Sequence, residues 1–180
     1  MQESALWSEG VPRTREGWGR LVDAFKDDIV RYAFRRVGDL QLAEDLAQDV
    51  FVRTYEARGR LGEVRNVRAY LYKAAANMCV DWLRKNKHGE KTIADGALAV
   101  EAKGPSAPEV TEACEELRRI EGILRRIPQD QAEVLRLHVL DELAFSEIAE
   151  VTGCTTATVK SRFRYGLEKV RRAMGKGEEA

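Results

Sequence analysis

FSEIAEVTGCTTATVKSRFRYGLEKVRRAM, residues Phe145 to Met174, reads by its periodicity as two helices with a short break. Ile148, Ala149 and Val151 give the first an apolar side. Gly153 then stops it, because glycine takes the left-handed conformation at little cost. Thr155 or Thr156 supplies an N-cap oxygen, and a longer helix is predicted from about Ala157. Val159, Phe163, Leu167 and Val170 form its buried stripe. Its other faces carry Lys160, Arg162, Arg164, Lys169, Arg171 and Arg172, with Glu168 as the only acid. A short helix, a tight turn with glycine and a basic second helix make a helix-turn-helix, whose second helix can enter a DNA major groove. A hairpin with a merely solvated basic face would need only the charge. Here turn, order and one-sided charge agree, which favours DNA.

Upstream of this motif, Asp141–Leu143 reads as a turn. Val110, Ala113, Leu117, Ile120, Leu124 and Ile127 form a helical stripe that Ala132, Leu135 and Val139 continue. Pro128 fits the first turn of the helix between. Asn86 to Pro108 has no sustained period and ends in Gly104, Pro105, Ser106 and Pro108, the composition of a flexible linker. Before it lie three amphipathic patterns. The first starts at Trp18 and carries Leu21, Val22, Phe25, Ile29, Ala33 and Val37. Gly38 stops it and Asp39 caps the next, about Leu40–Ala57, with Leu42, Leu46 and Val50 inward. The third, about Val67–Lys85, presents Val67, Leu71, Ala74, Ala75, Met78 and Trp82. No segment reads as a strand. The expected fold is all-α: two small helical domains joined by a flexible linker, the second ending in the helix-turn-helix. The expected boundaries are a loose leader at 1–16, a first domain at 17–86, a linker at 87–111, a second domain at 112–175 and a tail at 176–180.

The chain has 180 residues, 33% of them charged, and a formal net charge of zero. That zero hides a separation. The last thirty residues are basic, whereas Glu109, Glu112, Glu115, Glu116 and Glu121 make an acidic stretch, a pattern suited to one nucleic-acid face and another face for a basic partner. Cys79, Cys114 and Cys154 are far apart and form no CxxC pair, so neither a disulfide framework nor a zinc site is expected. No apolar run approaches the ~20 residues of a membrane span, and the N-terminus lacks a signal peptide's pattern. A cytoplasmic protein is expected. His88 and His138 are isolated, and no nucleophile–base pair, metal-spaced cluster or phosphate-cradling glycine loop emerges. No catalytic residue, metal, cofactor or small-molecule substrate is expected.

The motifs in their order resemble a family. Ala43-Glu44-Asp45-Leu46-Ala47-Gln48-Asp49-Val50-Phe51 is similar to the AEDLxQ(E/D)xF segment of bacterial sigma factors of the extracytoplasmic-function group. Arg68-Ala69-Tyr70-Leu71-Tyr72 is similar to the group's aromatic helix start, with Tyr70 where tryptophan is usual. Asn77, Asp81 and Arg84 match its N-x3-D-x2-R pattern. In the second domain, Ile127-Pro128 with Glu133-Val134-Leu135, then Glu147-Ile148-Ala149, Gly153 and Thr158-Val159-Lys160-Ser161-Arg162, resemble LP…EVL and EIA…G…TVKSR. Ala132 replaces a common arginine, and Tyr165-Gly166-Leu167 replaces an Arg-Ala-Arg-like run. The Val64–Tyr72 wording is similar to the iron-uptake branch of the group.

The resemblance implies a promoter-specificity subunit of bacterial RNA polymerase. It implies that Asp45, Gln48, Asp49 and Phe51 meet the β′ clamp helices, where acids and an exposed amide can pair with basic side chains. The plain alternative for Asp45, Gln48 and Asp49 is a solvated helix face, and Phe51 reads equally as a core residue. For the minus-ten element it implies Asn77 as captor of a flipped base, Tyr70 and Tyr72 as stacking rings, and Arg68, Lys73, Arg84 and Lys85 along the phosphates. Asp81 is expected to orient Arg84. For the minus-thirty-five element it implies Thr158, Lys160, Ser161, Arg162, Arg164, Tyr165, Arg171 and Arg172, while the second domain also sits on the β flap. Implied partners are core polymerase, promoter DNA and an anti-sigma factor. The rival is a self-sufficient helix-turn-helix regulator with an N-terminal helical domain, which would have no need of the Asp45–Phe51 and Asn77–Arg84 motifs.

Overall fold

The computed structural model describes residues 10–61, 64–86, 120 and 122–175. The chain divides into two compact units, Met1–Glu101 and Ala102–Ala180. The described residues are helical, without strands. The expected linker at 87–111 and tail at 176–180 lie outside the described residues, as do residues 1–9 of the expected leader.

Among its described residues the first unit has three helices: α1 (Arg15–Val37), α2 (Leu40–Ala57) and α3 (Val67–Asn86). α1 starts earlier than the apolar pattern implies. Thr14 accepts a hydrogen bond from the Gly17 amide at 3.1 Å, and Val11 upstream is buried, so part of the expected leader is structured. Gly38 ends α1 at φ 74° and gives its amide to the Phe34 carbonyl; Asp39 caps α2 through the Leu42 amide at 2.8 Å. Asn66 caps α3 through the Ala69 amide at 2.9 Å. The three helices pack on one another. Leu21, Ile29, Val37, Val50, Val67 and Leu71 are among the fully buried residues. Each such side chain contributes about 1.5–3 kcal/mol relative to exposure. Cys79 is buried in this core.

The second unit contains α4 (Gln129–Val139), α5 (Phe145–Thr152) and α6 (Thr156–Gly175). Pro128 precedes α4 as its cap residue. The Ala144 amide donates to Glu147 Oε2 at 2.7 Å at the start of α5, which Gly153 ends at φ 68°. Thr155 is the cap of α6, accepting from the Thr158 amide at 3.2 Å. Leu124, Ala132 and Leu135 form a core against Ile120, Ile127, Phe163, Leu167 and Val170. The predicted stripe is in place from Ile120 to Leu135, but Val139, expected to continue it, is 62% exposed at the end of α4; Val110, Ala113 and Leu117 lie outside the described residues. His138 is not isolated. Its ring stacks on Phe145 at 4.4 Å and meets Phe163 edge-on at 4.9 Å, joining α4, α5 and α6, and Nδ1 lies 2.8 Å from the Leu143 carbonyl.

Candidate nucleic-acid and protein interfaces

On α2, Asp45, Gln48 and Asp49 are exposed together. Positions 45, 48, 49 and 52 fall within about 100° of the helix circumference, so they form one face. Phe51 turns the other way. It is only 7% exposed and meets Trp18 edge-on at 6.4 Å. Trp18 also lies 5.1 Å from the Tyr55 ring, and the Arg58 guanidinium caps that ring at 3.6 Å. These aromatics, with Val22, Val30 and Val52, line a groove of about 850 Å³ between α1 and α2, with Arg15, Lys26, Glu44, Gln48 and Glu56 also along it. Gln48 therefore joins the acidic face to an apolar groove. Sequence reading missed Trp18, Val52 and Tyr55. The Phe51/Tyr55 spacing of four was the available signal, but the Trp18 partner is a tertiary contact.

On α3, Lys73, Asn77 and Arg84 are exposed along one stripe, with Tyr70 half-buried at its upper end. Val80, 53% exposed, stands in the same stripe and was not anticipated. Asp81 holds Arg84 at 3.0 Å, the orienting role expected of it. Lys85 is exposed at the flank. Tyr72 corrects an expectation. It is 0% exposed and packs edge-on against Tyr32 at 5.3 Å, so its ring is core and offers no face to a base. The reason is angular: position 72 is about 200° from position 70. Arg68 lies on the Tyr72 side of the helix, half-buried, with its guanidinium 6.0 Å from that ring.

On α6, Val159 is buried while Lys160, Ser161, Arg164, Tyr165, Arg171 and Arg172 are exposed. Lys160, Arg164 and Arg171 fall within about 40° of one another. Arg164 donates to the Tyr165 hydroxyl at 3.3 Å, and Arg172 is paired with Glu168. Thr158 is half-buried, its hydroxyl 2.9 Å from that of Thr155 in the capping turn. Arg162 is half-buried and paired to Asp130 at 2.9 Å. Gly166, an apparent defect in mid-helix, is buried against α4: a methyl there would lie 2.9 Å from Leu135 Cδ1 and 3.3 Å from Gln131 Cβ. Among the described residues no group of three His, Cys, Asp or Glu could hold a metal, and no helix is long and apolar enough to cross a membrane.

Two family descriptions match the chain: Sigma-70 region 2 over residues 21–89 and Sigma-70, region 4 over residues 117–170. The chain is similar to the ferric citrate uptake sigma factor FecI of Escherichia coli, at 31% identity over 92% of this chain and 89% of that protein. It is also similar to the ECF RNA polymerase sigma factor SigW of Bacillus subtilis, at 27% identity over 89% and 90%. Among solved structures, the fold is shared with the sigma factor RpoE of Bartonella quintana, crystallised with the anti-sigma factor NepR, with a TM-score of 0.66, 17% identity, and 89% of this chain and 98% of that chain covered. It is shared too with CnrH in its complex with the cytosolic domain of CnrY, with a TM-score of 0.65, 19% identity and 91% of each chain covered. With both regions matched in order and a relative of this identity along nearly the whole length, the chain belongs to the sigma-70 family, in its extracytoplasmic-function group.

Proposed function

We propose that this promoter-specificity subunit of RNA polymerase divides its work among three exposed helix faces. The α2 face with Asp45, Gln48 and Asp49, extended by the aromatic groove whose wall includes Phe51, docks on the β′ clamp helices of core polymerase. The α3 stripe handles the minus-ten element: Asn77 takes an unstacked base, Tyr70 stacks beside it, and Lys73, Arg84 and Lys85 follow phosphates. α6 reads the minus-thirty-five element through Lys160, Ser161 and Arg164, with Tyr165 against a thymine methyl and Arg171 and Arg172 on the backbone; its unit also sits on the β flap. In this reading 17–86 is the polymerase and minus-ten domain, 112–175 the minus-thirty-five domain, and 87–111 the linker toward the active-site channel. RNA synthesis itself belongs to the polymerase, in the cytoplasm where the genome is, and an anti-sigma protein covering these faces is the expected regulator.

The supporting observation is that the acids and amide of α2 stand exposed beside an apolar groove. Charge gives such a surface orientation and specificity, and desolvated aromatics give it affinity. Reversing both acids, Asp45→Arg with Asp49→Arg, is expected to lower core-polymerase binding at least tenfold, because like-charge contacts at an interface cost several kcal/mol. Thermal unfolding should barely move, since exposed substitutions usually stay within about ±0.5 kcal/mol. The measurement is a pull-down of core polymerase without DNA. Undiminished capture by the double variant would remove this face from the docking surface.

A further inference from the structure

Arg162 stands in the middle of the basic helix, yet its guanidinium is engaged within the protein. Its Nε lies 2.9 Å from Asp130 Oδ2 in the first turn of α4, and Nη1 donates to Cys154 Sγ at 3.7 Å in the turn before α6. Position 162 is about 200° around the helix from Lys160, on the side toward α4 rather than the exposed side. One turn further along the same side, Gly166 lets α6 approach Gln131 and Leu135. A seam between α4 and α6 is thus closed by an ion pair at one end and by close backbone approach at the other. A planar guanidinium gripped on two edges has little freedom to turn, whereas a lysine ammonium at that place would make a point contact only.

We propose that Arg162 is a positioning residue for base reading: the Asp130–Arg162–Cys154 clasp sets the angle at which α6 meets α4, and so the depth at which Lys160 and Arg164 reach base edges. This rests on the reading of α6 as the major-groove helix. An ion pair this exposed contributes little to folding stability. Its effect belongs to orientation, where a small tilt moves every side chain on the opposite face.

Asp130 provides the discriminating sign. A carboxylate on a DNA-binding unit repels phosphate, so its removal should by charge alone raise affinity for every sequence. Removal of a clasp does the reverse and changes which bases are preferred. The test uses the full chain with core polymerase and a promoter library randomised at the minus-thirty-five element, with competition binding on the selected sequence. Asp130→Asn is expected to lose about two- to fivefold in affinity, the scale of one exposed ion pair, and to relax the base preference. Asp130→Glu should keep the preference. In the Asp130→Asn background, Arg162→Ala should cost little more, because the partner is already gone. Unchanged or raised affinity with Asp130→Asn overturns the proposal. So do additive losses with a salt slope that falls by about one for Arg162→Ala alone, the mark of a phosphate contact. Should Asp130→Asn lose helicity, Arg162→Lys decides: it keeps the charge without the two-edged grip, and a wild-type preference there overturns the clasp. Absence of any minus-thirty-five preference in the wild-type arm would overturn the groove reading of α6 itself.

Discussion

At the scale of single residues, Gly166 shows how an apparent flaw can be a fit. Glycine costs a helix interior about 1 kcal/mol relative to alanine, and by sequence this one only weakens the recognition helix. In the fold its missing Cβ leaves room for Leu135, itself buried in the core of the second unit. Two effects oppose each other in Gly166→Ala. Helix propensity gains about 1 kcal/mol, while overpacking at a well-filled contact costs about 1–3 kcal/mol. Leu135 cannot swing away without disturbing Leu124 and Ala132, so the clash should win. The expected result is a net loss of about 1 kcal/mol in chemical denaturation followed by helical circular dichroism. A more stable variant would mean that the two helices separate freely at this point. Tyr72 teaches a related lesson. Its aromatic type suited base stacking as well as core packing, and only the angular count from Tyr70 and the presence of Tyr32 decide for the core.

At the scale of elements, α6 makes the sharpest statement about register. Lys160, Ser161 and Arg164 lie at its exposed N-terminal half, Arg171 and Arg172 at the far end. A recognition helix contacts base edges with its N-terminal residues, and its later cations reach the backbone. Arg164→Ala should therefore change the preferred minus-thirty-five sequence, with discrimination falling by about 1–3 kcal/mol at one position. Arg171→Ala should weaken all sequences alike. Transcription from a randomised minus-thirty-five library with each variant separates these outcomes; an altered sequence preference with Arg171→Ala and none with Arg164→Ala would shift the register by about a turn. The elements themselves were largely legible, because their signals are local. Gly38, Asp39, Gly153 and Thr155 act within a few residues of where they stand, through positive φ or a side-chain cap. The groove between Trp18 and Tyr55 and the clasp between Asp130 and Arg162 were not legible. Both join residues more than thirty positions apart, and nothing in either partner's own neighbourhood announces the other.

At the scale of the molecule, equal numbers of basic and acidic residues, 30 and 30, leave no net charge to draw the chain toward DNA from a distance. Affinity must then come from local cations, and the fold limits which of those can act. Arg162 is held by Asp130 and Arg172 by Glu168, whereas Lys160, Arg164 and Arg171 are exposed with no acidic partner among the described residues. Each phosphate neutralised releases condensed counterions and adds about 0.9 to the slope of log affinity against log salt concentration. Lys160 and Arg164 at base edges and Arg171 on the backbone bring at most three cations against the phosphates, which predicts a slope no steeper than about −3 for the chain alone on minus-thirty-five duplex, and one shallower by about one for Arg171→Ala. Arg172 must give up Glu168 to hold its phosphate, so Arg172→Ala should alter the slope less than Arg171→Ala does. Fluorescence anisotropy across a salt series measures all three proteins. A wild-type slope several units steeper than −3 would mean that cations outside α6, such as Lys73, Arg84 and Lys85 on α3, also hold duplex DNA. The three-face division of labour would then fail, because the minus-ten stripe would be binding paired rather than unstacked strands.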